Sequence, residues 1–246
     1  MNQFFVDPTQ IQDKKIIITG KDVNHIKNVL RMKIGEEISV SNGEDGKEYR
    51  GIIEEFLEDE VICSLAFVKE DGVELPSKVY LYQGLPKADK MELIIQKAVE
   101  LGVYEIIPVA TKRAVVKLDE KKSKSKIARW QAISEAAAKQ SKRAIIPKVG
   151  DVLGFKEALK ECQQAEIKVI PYELAEGMEK TKEIISAIKP GQDVAIFIGP
   201  EGGFDEAEIE AAISMEVTPI TLGKRILRTE TAGFTILSWI MYQLES

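Results

Sequence analysis

From Val79 onward the chain repeats one rhythm, a short apolar run followed by an amphipathic stretch, and this limits its architecture more than any other feature. "VYLYQGL" leads into "ADKMELIIQKAVELG", in which Met91, Ile94, Ile95, Ala98 and Leu101 recur at spacings of three and four before Gly102. That spacing lays an apolar stripe along a helix, and glycine commonly ends one. "YEIIPVA", a basic helix over Ser123 to Ser141 and "IKVIPYE" come next. "EKTKEIISAIK" then precedes "DVAIFIG", "EAEIEAAIS" precedes "VTPITL", and "TAGFTILSWIMYQLE" closes the chain. Such alternation predicts a mostly parallel α/β sheet covered on both faces, with ligands gathered at the C-terminal ends of its strands.

The first 72 residues obey a different pattern. "KIIIT", "EEISV", "YRGIIEEF" and "EVICSLAFV" are rich in β-branched and aromatic residues, and "SNGEDGKE" carries Asn-Gly and Asp-Gly turn signals. One helix, "DVNHIKNVLRM", interrupts them, with Asp22 as its cap and Val23, Ile26, Val29 and Leu30 on one face. The expectation is a small β-barrel or sandwich over residues 1–72, a turn-rich boundary at "KEDGVELPSK", and an α/β domain over residues 73–246.

Composition narrows the chemistry. With 246 residues, 44% of them hydrophobic, the chain can bury a substantial core. No apolar run reaches the roughly 20 residues of a membrane span, and "MNQFFVDPTQ" lacks a signal peptide's basic start, so a cytoplasmic protein without a membrane partner is expected. Cys63 and Cys162 form no CxxC, and His25 is the only histidine, so no metal site is expected and a Ser-His-Asp arrangement would need His25 itself. The net charge of −6 hides an asymmetry: Thr111 to Lys148 holds twelve Lys and Arg against three Asp and Glu. A block this basic is either a solvated helical face or an electrostatic footprint for phosphate.

Two loops at strand ends invite a nucleotide reading, "GPEGGF" after Ile198 and "LGKRILRTETAG" after Thr221, yet neither matches GxGxxG or GxxxxGK. In the first, Gly199, Gly202 and Gly203 permit positive φ and close approach of a ligand, Pro200 stiffens the turn, and Asp205 with Glu208 forms a capping box. An ordinary strand-to-helix turn explains that much. In the second, Arg225, Arg228, Thr229, Glu230 and Thr231 crowd a junction beside Leu222, Gly223, Ile226 and Leu227. Apolar walls with free backbone amides suit a purine and its ribose. The competing reading has Thr229 or Thr231 capping the last helix while the charges face water.

Together "IGPEGGF" and "LGKRILRTETA" resemble the paired signatures of the SPOUT-class RNA methyltransferases, specifically the RsmE family, which methylates N3 of a uridine in 16S ribosomal RNA. "HIKNVLRMKIGEEI", "KADKMELIIQKAVELGVYEIIPVATKRAVVK" and "EAAAKQSKR" extend the resemblance over nearly the whole chain, although Gln3 stands where the family often has an arginine. The resemblance implies a trefoil-knotted C-terminal domain, a PUA-like RNA-binding β-barrel before it, and a homodimer acting on 16S rRNA or the small ribosomal subunit. It also implies S-adenosylmethionine held by Gly199, Pro200, Gly202, Gly203, Leu222, Gly223, Ile226, Leu227, Arg228 and Thr231, and by the strand end at Tyr172 and Glu173. Uridine N3 carries a proton and attacks poorly, so the enzyme must favour its anion. Arg228, a permanent cation with a planar fork, is the expected stabiliser of that charge. Glu230 is either a base or the partner that orients Arg228, and Glu201 is a further base candidate. Flanking phosphates are assigned to Arg31, Lys112, Arg113, Lys139, Lys142 and Arg143. A related enzyme acting on ribose 2′-oxygens or transfer-RNA bases, and a non-catalytic RNA-binding assembly factor, remain as alternatives.

Overall fold

The computed structural model describes residues 3–70, 72–173, 175 and 177–246. Two units divide the chain: Met1–Glu74 with Ala138–Ile146, and Leu75–Ala137 with Pro147–Ser246.

In the first unit, β1 (Gln3–Phe5), β2 (Ile11–Gln12), β3 (Lys15–Thr19), β4 (Glu37–Ser41), β5 (Glu48–Phe56) and β6 (Glu60–Lys69) form one six-stranded sheet in the order β1-β4-β5-β6-β3-β2. Only the β1–β4 pair is parallel. Alternation buries Ile16 and Ile18 of "KIIIT" while its two ends stay exposed. Register shifts between Arg50 and Gly51 and between Ile53 and Glu55 bend β5 against β6, so the sheet curls round Phe4, Ile38, Val40, Ile53 and Val61.

The helix expected at "DVNHIKNVLRM" differs in two respects. A single turn, α1 (Lys21–Asn24), passes into a π turn over His25–Val29, in which the Leu30 amide donates to the His25 carbonyl five residues back at 2.9 Å. The widened turn rotates the residues at its end away from the core, so Val23 and Ile26 are buried but Val29 is 61% exposed. Asp22 is not the cap. Gly20 precedes the first turn with φ +72°, and Asp22 lies inside it, 3.6 Å from Lys139.

Arg143 also corrects its expected role. Its guanidinium is buried and Nε donates to Glu74 at 3.0 Å, while the same carboxylate accepts the amides of Ala144 at 2.9 Å and Ile145 at 3.2 Å. Gln3 donates to the Arg143 carbonyl at 2.7 Å. A side chain so enclosed is structural and has no fork left for a phosphate. Breaking a buried pair by removing one partner costs about 3–5 kcal/mol.

In the second unit, β7 (Val79–Gly84), β8 (Glu105–Ala110), β9 (Lys148–Val149), β10 (Leu153–Gly154), β11 (Ile167–Pro171), β12 (Val194–Ile198) and β13 (Thr218–Ile220) build a sheet in the order β10-β8-β7-β12-β11-β13, with β9 on β8. Every pairing is parallel. β7 and β12 are buried along their whole length, which is why they read as continuous apolar runs. Their Tyr82 and Phe197 rings stack at 4.6 Å, and Phe155 and Phe204 extend the cluster. The helices are α2 (Lys90–Glu100), α3 (Glu120–Ser141), α4 (Phe155–Glu161), α5 (Met178–Ser186), α6 (Glu206–Ser214) and α7 (Thr229–Leu244). α3 belongs to this unit through Ala137 and to the first unit beyond it. Gly102, at φ +87°, ends α2 as the spacing predicts. α4 had no counterpart in the sequence reading, because "FKEALKE" is one short stretch with few apolar positions.

Candidate functional site

Parallel strands all deliver their following loops to one edge of the sheet, and three such loops converge here. β7 runs into Gly84 to Lys90, β12 into Gly199 to Phe204, and β13 into Thr221 to Arg228 before α7. β11 lies between β12 and β13, so its end at Tyr172 falls between the second and third loops, and the Tyr172 amide donates to Ile220 at 3.0 Å. Glu173 is exposed beside it.

The "GPEGGF" loop is held by a turn within it and by contacts from its neighbours. The Gly203 amide closes a turn on the Pro200 carbonyl at 2.9 Å, and Gly203 has φ +65°. A methyl on Gly199 would stand 3.1 Å from the Gly203 backbone, and one on Gly202 would stand 3.2 Å from Arg113 Cβ, so these glycines are set by packing within the protein. Gly84 is constrained more tightly, since its Cβ would lie 2.7 Å from the Pro200 ring. Asp205 accepts the Ala207 amide at 3.3 Å and donates its own amide to Glu208 at 3.0 Å, the expected capping box of α6.

Lys112 and Arg113 strap this loop from the end of β8. Lys112 Nζ lies 2.9 Å from Asp205, and Arg113 donates to the Gly202 carbonyl at 3.2 Å. The Lys112 contact, joined by the Ala207 amide and Arg113, holds the Asp205 carboxyl below its ordinary range. Both side chains are thus engaged with the protein, although each stays well exposed. Arg31 and Lys142 are exposed, with positive φ and no ion pair among the described residues, whereas Lys139 is tied to Asp22.

The "LGKRILR" loop is built the other way. Among the described residues, no protein acceptor takes the amides of Leu222 or of Lys224 through Arg228, and the Gly223 amide reaches only Thr221 Oγ1 at 3.3 Å. Gly223 has φ +111° and nothing within 4 Å of where a Cβ would stand. Ile226 is 88% exposed, and Arg228 is exposed without an ion pair among the described residues. Backbone donors left over beside open apolar surface fit an adenosyl group, which offers an aromatic face and several acceptors. The side chains of neither Thr229 nor Thr231 cap α7. Arg228 takes the cap position without a side-chain bond, and Thr231 is exposed in the first turn.

Thr229 instead joins the loops. Its hydroxyl donates to the Gly199 carbonyl at 2.6 Å and accepts from Gln83 Nε2 at 2.9 Å, so the ends of β7 and β12 and the start of α7 share one buried contact. A second link runs through Lys90, whose Nζ lies 3.0 Å from Glu201 and 3.4 Å from Glu230. Glu201 also accepts the Lys87 amide at 3.2 Å. Burial works to raise the Glu201 pKa, but its own amide, Lys90 and the Lys87 amide together leave it lowered. A carboxylate so held takes up a proton less readily than an ordinary one. Sequence reading missed Gln83 and Lys90. The available signal for Lys90 was a cation at the first position of a helix, where the helix dipole disfavours it unless acids lie opposite.

Known proteins carry the same two domains. Residues 73–241 match the family described as RNA methyltransferase domain, and residues 18–65 match the RNA methyltransferase PUA domain. The chain is 40% identical over 251 aligned positions to the ribosomal RNA small subunit methyltransferase E of Bacillus subtilis, covering 100% of this chain and 98% of the relative. The enzyme of the same name from Neisseria gonorrhoeae, solved bound to S-adenosyl methionine, has TM-score 0.82 at 29% identity over 96% of this chain and 95% of that one. A methyltransferase from Legionella pneumophila, solved with bound SAM, has TM-score 0.80 at 31% identity over 98% and 96%. The chain belongs to the RNA methyltransferase family, alongside relatives named ribosomal RNA small subunit methyltransferase E.

Proposed function

We propose that the protein methylates N3 of a uridine in 16S ribosomal RNA with S-adenosylmethionine as donor. The observation that carries this reading is that the amides of Leu222 and of Lys224 to Arg228, with exposed Ile226 and Arg228 beside them, face no protein acceptor among the described residues. The SAM-bound relatives from Neisseria and Legionella support the choice of cofactor. Tyr172, Glu173, Gly199, Pro200, Gly202, Gly203, Leu222, Gly223, Ile226, Leu227 and Thr231 would hold it. When bound, it supplies an electrophilic methyl on a sulfonium.

The chain's own residues then have three tasks. The "GPEGGF" turn and its Thr229 link keep the opposite wall fixed, so the acceptor meets a preformed site; good alignment can account for up to about 7–11 kcal/mol of a barrier. Arg228, unpaired among the described residues, donates to a uracil oxygen and stabilises the N3 anion as the proton leaves. Glu230, in the first turn of α7 and 3.4 Å from Lys90 Nζ, is the candidate that takes the N3 proton or orients that arginine. Arg31 and Lys142, which are exposed and engaged in no ion pair among the described residues, keep their charge available for RNA phosphates.

The same reading takes residues 1–72 as an RNA-binding domain and residues 73–246 as the methyltransferase domain, in a cytoplasmic homodimer acting on rRNA or the small subunit. It includes a trefoil knot in the C-terminal segment. The return of the chain from β13, at one edge of the sheet, to Thr229 against Gly199 and Gln83 supports that threading. The test is incubation with small subunits from cells lacking this modification, followed by nucleoside mass spectrometry. 3-Methyluridine at one site is expected; a 2′-O-methyl product, or none with cofactor bound, would contradict the reading.

A further inference from the structure

Lys90 is the first residue of α2, and Asp89 before it provides no side-chain cap. A helix start is electropositive, so an ammonium there is unfavourable unless carboxylates approach it. Two do, from different segments: Glu201 on the loop after β12 and Glu230 in the first turn of α7. On its own helix, Glu92 is paired to Arg129 at 2.8 Å. Both distances end on the one nitrogen, which brings the two carboxylates close to each other. Without the cation they would repel, and one sits on the loop after β12 while the other sits at the start of α7, both bordering the site.

We propose that Lys90 is a positioning residue, one cation that holds Glu201 and Glu230 together and so fixes the loop after β12 against the start of α7. The bridge itself stands on the geometry; its effect on cofactor binding rests on the reading under Proposed function. Arg113 and Thr229 hold other points of the same loops but neutralise neither carboxylate, so they do not substitute for it.

The test compares the wild type with Lys90→Met, Lys90→Arg and the double variant Lys90→Met/Glu201→Gln, each titrated with S-adenosylmethionine by calorimetry and melted without ligand. Lys90→Met is expected to bind about tenfold more weakly and to melt lower, a loss within the range for coupled neighbours. Lys90→Arg keeps the charge and should stay near the wild type. Removing one of the two opposed charges, in Lys90→Met/Glu201→Gln, should recover most of both losses, which a simple packing role would not allow. Wild-type behaviour of Lys90→Met in both measurements, or no recovery in the double variant, overturns the proposal. Failure of the wild type to bind the cofactor would instead remove the functional reading, and the melting comparison would still decide the bridge.

Discussion

The two loops that follow β12 and β13 are opposites in the same sheet. "GPEGGF" is braced by the protein: a closed turn, an Arg113 bond to the Gly202 carbonyl, the Thr229 bond to Gly199, and glycines set by distances near 3 Å. "LGKRILR" leaves all its amides but that of Gly223 without a protein acceptor among the described residues and exposes an isoleucine and an arginine. The first loop is braced by contacts with the rest of the domain, whereas the second makes few and lies open. One is a wall and the other a receptor, joined by the Thr229 hydroxyl.

Arg228→Ala gives the largest effect expected from this contrast. Because the arginine side chain makes no capping bond, α7 should persist and cofactor affinity should change little, while methyl transfer falls by about 100- to 1000-fold, the usual result of removing one transition-state donor. Single-turnover assays beside calorimetry separate the two. A matching loss of affinity would mean that the receptor loop holds the cofactor through this side chain rather than its backbone.

Thr229→Val attacks the joint. It keeps the shape but strips partners from the Gly199 carbonyl and from one Gln83 donor bond, and should cost about 1–3 kcal/mol of stability in urea unfolding. Ile226→Ser should do the reverse. At 88% exposure the substitution should move stability by less than about 0.5 kcal/mol, yet weaken cofactor binding several-fold if the side chain becomes covered. Equal effects on stability from these two changes would erase the distinction between wall and receptor.

Much of this was legible in the sequence because the signals were local. Continuous apolar runs marked β7 and β12, the spacing of Met91 to Ala98 marked α2, and Asp205 with Glu208 marked the start of α6. The illegible parts depended on distant residues. Arg143 reads as one more basic residue until Glu74 is found against it, nearly seventy positions earlier in the chain. The contacts of Glu201 with Lys90 and the Lys87 amide come from a segment more than a hundred positions earlier in the chain. Thr229 reads as a helix cap, and its bond to Gly199 appears only when α7 returns to the end of β12. The π turn at His25–Val29 escaped for a different reason: one extra residue in a turn leaves no mark in apolar spacing.

Amide hydrogen exchange with and without S-adenosylmethionine tests the central contrast most directly. In the free protein the amides of Leu222 and of Lys224 to Arg228 should exchange fast and the Gly203 amide slowly; with cofactor bound, the first group should become protected and the second should barely change. Saturating cofactor that leaves Leu222 to Arg228 unprotected, or that protects "GPEGGF" alone, would contradict the account.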